Sequence, residues 1–225
     1  MGQSLGAGDR RGAALVGAQG VIMGSLLTVV VMTTGYLAAP SLYRLLGATD
    51  AYLEICLEYM NVILLGAPVV LTFYMFNGIL NAQGDTRSFR DYLLVATVVN
   101  IGLDPWFMYG GLGVPAMGVG GIALATVVAQ AGGVFYLGWR ARQTGLLFRS
   151  EGARWRPHLP TLRAIAGQGI PASLNMMSVA LGIFIITRFL GEFSEATVAA
   201  YGAATRIEQI VLLPAIGLNV AALTL

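Results

Sequence analysis

The sequence has few of the residues that build a water-soluble domain or a metal centre. It contains one cysteine, Cys56, and one histidine, His158. A single thiol cannot close a disulfide within the chain, which excludes a cystine-stapled scaffold. One imidazole and one thiol cannot assemble a zinc site of the usual ligand set. Lysine is absent, so all 13 basic residues are arginine. Charged residues make up 11% of the 225 residues, against about 25% in typical soluble domains. The formal net charge is only +2, and the arginines fall in short blocks between apolar runs. That pattern offers nucleic acid no continuous basic surface.

What remains is apolar sequence: 56% of residues are hydrophobic and the mean hydropathy is +0.74. Charge-free runs cover 12–43, 59–84, 105–139 and 164–187. Each exceeds the roughly 20 residues that cross a bilayer as a helix. A glycine-rich cluster at 110–115, closed by Pro115, splits the third run into the end of one helix and the start of another. The runs lack the alternation of a membrane barrel. The pattern predicts six helices near 17–40, 59–81, 91–110, 118–139, 163–190 and 196–223. The expected fold is therefore all-α, a polytopic membrane bundle of about six transmembrane helices. Pro68, Pro171 and Pro214 fall inside predicted helices and should bend them.

Arginine placement orients the bundle. Arg10, Arg11, Arg87, Arg90, Arg140, Arg142, Arg149, Arg154, Arg156 and Arg163 all lie in alternate loops, and so on one side. The positive-inside rule assigns that side to the cytoplasm. The segment 140–162 interleaves arginines with Leu146, Leu147, Phe148 and Trp155. It reads either as a linker on the cytoplasmic headgroup surface between 1–139 and 163–225, or as an ordinary arginine-anchored loop.

Asp104 is the first residue with chemistry to offer. It lies about 20 Å along a helix starting near 91. A carboxylate at that depth must be protonated or paired with a cation. Asn100 is one turn earlier on the same face, so amide and carboxylate oxygens could share a hydrated proton or a sodium ion. The alternative is a local role at the Pro105 break. Arg206 and Glu208 are the second pair. Two residues apart on a helix, they point about 200° apart and cannot meet. Each needs a partner on another helix or a water-filled cleft.

Several motifs, in order, resemble multidrug and toxic compound extrusion (MATE) transporters. The opening Met1-Gly2-Gln3-Ser4-Leu5-Gly6-Ala7-Gly8-Asp9 is similar to the loop after a lobe's second helix. The stretch from Asn77 through Gln83-Gly84-Asp85-Thr86 resembles the turn between the fourth and fifth helices. Asn100-Ile101-Gly102-Leu103-Asp104-Pro105 resembles a fifth-helix motif, and Gly118-Val119-Gly120-Gly121 the start of the sixth. Gln168-Gly169-Ile170-Pro171 resembles the seventh, and Arg206-Ile207-Glu208 with Leu213-Pro214-Ala215 the eighth.

The resemblance implies a two-lobed parent with twice as many helices. This chain would supply helices three to eight: four in 1–139, the linker, and two of the second lobe in 163–225. That is an incomplete architecture, with a complementing chain or a longer polypeptide supplying the rest. It implies a cation/drug antiporter of the cell membrane, not an enzyme, and without a cofactor. Such a protein exports amphipathic or cationic compounds in exchange for H+ or Na+. In the DinF-like branch, the residues matching Asn100 and Asp104 belong to a first-lobe cation site. Thr126 and Asn77 resemble further polar residues of that cavity, which Tyr74 could also face. Asn175-Met176-Met177 stands where NorM-type members carry a glutamate, which favours the DinF-like reading. The rival implication is a lipid-linked saccharide flippase, whose cationic cavity only Arg206 could serve. A non-transporting half is the other rival.

Overall fold

A computed structural model describes residues 1–111, 113–146 and 155–223. The elements are α1 (Gly2–Gly6), α2 (Arg10–Leu45), α3 (Asp50–Asn81), α4 (Arg87–Tyr109), α5 (Gly118–Gln143), α6 (Leu159–Gly191) and α7 (Glu195–Leu223). The only β-type pairing among the described residues is a bridge between Gly111 and Val114, which closes the α4–α5 turn. All six expected helices are present, together with the short α1, which has no apolar run to announce it. Helices α2 to α6 are long and apolar enough to cross a membrane. α7 is 29 residues long and carries Glu195, Arg206 and Glu208.

The helices overrun the apolar stretches because their polar ends suit helix termini. The Asp9 carboxylate accepts a hydrogen bond from Gly12 N–H at 2.8 Å, which starts α2 at Arg10. α3 begins at Asp50 and takes in Glu54, on the side where the helix dipole favours acids. α5 continues through Arg140 and Arg142, whose charges suit its C-terminal end. Arg188 and Glu192 pair at 3.1 Å where α6 ends, as their spacing predicts. Pro40, Pro68, Pro105, Pro171 and Pro214 all sit within helices that continue past them.

α3 packs against α2 and α5, and α5 also packs against α4. Phe73, Leu80, Leu137 and Ala141 form a core there, with Phe89 and Tyr92 packed against it. α5 can approach both neighbours because its buried residues include Gly120, Gly121, Ala123, Ala125, Ala129 and Gly133. At Gly133 a Cβ would lie 2.6 Å from ring atoms of Phe73 and Tyr92.

α6 packs on α2 and α7. Near its start, buried Gln19 of α2 holds the backbone ahead of α6. Its Nε2 donates to Arg156 O at 2.9 Å, and His158 N–H donates to its Oε1 at 2.8 Å. At the far end, Gly191 of α6 lies against Leu46 O in the α2–α3 turn, with no room for a Cβ. A cavity of about 170 Å³ adjoins that contact, lined by Tyr43, Tyr52, Cys56, Thr187 and Glu195.

Candidate functional site

Asn100 and Asp104 occupy successive turns of α4. The Oδ1 atoms of both are buried and have no hydrogen-bond partner. Because α4 starts at Arg87, Asp104 is about 26 Å along it and within about 8 Å of its Tyr109 end. It is thus closer to the membrane boundary than a start near 91 implies. The extra turn comes from Asp85, which accepts from Ser88 N–H at 3.0 Å and Ser88 Oγ–H at 2.7 Å. The Pro105 break does not satisfy Asp104 Oδ1, which remains an orphan acceptor.

Three helices converge on a cavity of about 160 Å³. α3 supplies Phe73 and Tyr74, α4 supplies Phe89, Tyr92 and Asn100, and α5 supplies Thr126 and Gln130. The lining contains no charged side chain. Thr126 Oγ1–H donates to Ile122 O at 3.2 Å, so its oxygen faces other groups as an acceptor. The Tyr92 hydroxyl donates to Ala129 O at 2.9 Å, fixing one wall across the α4–α5 contact. Gln130 Oε1 is a further buried acceptor without a partner.

The structure therefore brings Tyr74, Asn100 and Thr126 to one cavity. Asp104 stands one turn further along α4, outside the lining. Asn77 lies nearer the Asp85 turn, and its buried Oδ1 also lacks a partner. Arg206 and Glu208 are exposed on α7. They lie apart from the cavity because α7 packs on α6 rather than on α3, α4 or α5. Gln130 is the lining residue that motif reading passed over. Its signal was available: an amide one turn from Thr126, inside an apolar run.

Unsatisfied buried oxygens are costly, at about 1–3 kcal/mol each. Two of them, those of Asn100 and Gln130, belong to residues lining one cavity. Among the described residues no group of three His, Cys, Asp or Glu side chains could hold a metal ion.

A second groove, about 440 Å³, runs between α4 and α5 past Val95, Val99, Leu103, Val128 and Tyr136. It is largely apolar.

The MatE family profile matches residues 1–106. Over 225 residues the chain is 28% identical to "Probable multidrug resistance protein YoeA" of Bacillus subtilis, covering 98% of this chain and 48% of that protein. It is 26% identical to the "FAD transporter" of Shewanella oneidensis, covering 97% and 48%. A structure described as the inward-facing conformation of a multidrug resistance MATE family transporter superposes with a TM-score of 0.80. Identity to it is 28%, over 94% of this chain and 48% of that one. The chain spans about half the length of the relatives it matches.

Proposed function

We propose that the chain, which is similar over its first 106 residues to the MatE family and over nearly its whole length to MATE transporters, forms the ion-coupling part of a secondary-active exporter. The exporter would move amphipathic or cationic compounds outward in exchange for H+ or Na+. Further helices, in the same polypeptide or a complementing chain, would cover α6 and α7. The observation that carries this reading is the pair of unpartnered oxygens on α4, Asp104 Oδ1 and Asn100 Oδ1. An acid inside a membrane helix is stable when protonated or ion-bound and unstable when bare. Loading the site and emptying it therefore change the energy of the bundle. If the ion and the exported compound favour different arrangements of the two lobes, each drives the other's movement, which is alternating access.

A DinF-like exporter fits these residues, because both oxygens lie on the first four long helices. The flippase reading draws only on Arg206, which is exposed on α7 and lies outside the α3–α4–α5 cavity.

The test is Asp104→Asn in the protein as it is expressed, assayed by dye efflux from vesicles under an imposed H+ or Na+ gradient. The expected result is a protein that still binds dye but loses gradient-driven efflux by at least tenfold. Undiminished coupled efflux removes Asp104 from the mechanism.

A further inference from the structure

We propose that Gln130 is the residue by which the α3–α4–α5 cavity selects cations bearing an N–H group over quaternary cations of the same shape. The proposal rests on the transport reading only in taking the cavity's ligand to be an organic cation. The ligand class is then protonated amines, with the ammonium head in the cavity and the apolar body outside it.

The argument begins with what the lining contains. Phe73, Tyr74, Phe89 and Tyr92 provide aromatic rings. Such rings attract any cation, whether or not it carries a hydrogen to donate. They supply affinity without telling an ammonium from a quaternary group. No carboxylate lines the cavity, so charge pairing does not discriminate either.

Discrimination is left to the hydrogen-bond acceptors. The hydroxyls of Thr97, Thr126 and Tyr92 donate to Leu93 O, Ile122 O and Ala129 O, so their oxygens can accept but each already takes part in one hydrogen bond. The carbonyl oxygens of Asn100 and Gln130 are uncommitted, and each is buried without a partner. The two residues stand on different helices, α4 and α5, so both sides of the cavity carry one. The terminal torsion of an amide side chain is broad, and a turn about it would present the oxygen to a ligand at little cost. An N–H donor there relieves a buried, unsatisfied acceptor. A methyl group in the same place leaves the acceptor unsatisfied, and sites built this way reject analogues that lack the donor.

Of the two amides, Asn100 is one turn from Asp104 and belongs with the coupling ion. Gln130 has no acidic neighbour on its own helix and is free to serve the exported compound. α5 carries no Asp or Glu anywhere along 118–143.

The experiment measures equilibrium binding of benzyldimethylammonium and benzyltrimethylammonium to the purified, intact protein in nanodiscs. The pH is set so that the tertiary amine is protonated. The wild type should bind the tertiary cation roughly tenfold more tightly, the worth of one hydrogen bond from a charged donor. Gln130→Leu should bring the two affinities together by weakening the tertiary cation alone. Gln130→Glu, which keeps an acceptor, should retain or widen the preference.

Unchanged binding of the quaternary cation verifies that each variant is folded. Gln130→Met, closer in shape, repeats the measurement should Gln130→Leu lose both probes. No preference in the wild type, no binding of either probe, equal losses of both in Gln130→Leu and Gln130→Met, or loss of the preference in Gln130→Glu would each overturn the proposal. Asp104→Asn separates it from the transport reading. If that variant keeps coupled efflux while Gln130→Leu loses the preference, the coupling role falls and the selectivity role stands. The reverse pattern does the opposite.

Discussion

At the turn between α3 and α4, Asp85 joins a helix start to a neighbouring helix. Its carboxylate takes the Ser88 hydroxyl and N–H, and Arg140 of α5 reaches it at 3.0 Å while also donating to Ser88 Oγ at 2.9 Å. The Ser88 hydroxyl, then the Ser88 N–H, hold the Asp85 carboxyl below its ordinary 3.8; Arg140 adds to this, and partial desolvation opposes it. A carboxyl whose folded value is depressed stabilises the fold fully above its unfolded value. That contribution is lost as pH falls from about 3.8 through the lower folded value. Asp85→Ala should therefore lower stability by about 1 kcal/mol at neutral pH, the usual cost of a lost cap. In detergent melts the gap to wild type should narrow as pH is taken below about 4. A gap that stays constant down to pH 3 would argue against this role. At this scale the sequence was readable where a polar residue interrupts apolar surroundings, as Asn100 and Asp104 do. Gln130 was passed over, because an amide is cheaper in a membrane than an acid and draws less notice. The failure of Arg206 and Glu208 to join the cavity was hidden too, since helical spacing says which residues share a face but not which helix that face meets.

Between residues and molecule, the fold depends on how closely α5 can lie against α3 and α4. Gly133 is where the two contacts meet: a side chain there collides with Phe73 and Tyr92, which also wall the cavity. Gly133→Val should cost about 1–3 kcal/mol by overpacking. It should also weaken binding of both benzylammonium probes together, unlike any change at Gln130. Melting curves and the same binding assay check both points, and a normal melt would show that the rings move aside. Helix number and order were legible from charge-free runs alone, because a bilayer demands about 20 apolar residues per crossing. Helix ends were not, since α2, α3 and α5 continue into charged residues that suit helix termini. α1 escaped for the opposite reason, being five residues long with no apolar run to count.

For the whole molecule, accessible surface is the informative quantity. The chain exposes 14520 Å², whereas a compact soluble chain of 23.7 kDa exposes about 9,800 Å². Large apolar side chains are exposed along all the long helices, and on α6 and α7 they include Ile170, Leu174, Met176, Val179, Ile207, Ile210 and Val211. The expectation of two lobes came only from family motifs, because nothing in composition says which helices share a lobe. The Gly191 contact with the α2–α3 turn governs how closely α6 can lie there. Gly191→Val should push the two apart and speed maleimide labelling of Cys56, the sole cysteine, which lines the adjoining cavity. Labelling no faster than wild type would mean that the contact does not control access. The opposite end of α6 is held differently. Gln19 bonds to two peptide groups, Arg156 O and His158 N–H, and these two bonds do not depend on the side chains at those positions. For these two bonds the Arg156 side chain is thereby open to drift in evolution, or to exchange in the laboratory for that of a relative. What selection must guard at this anchor is the glutamine and an N–H at position 158, which any residue except proline provides.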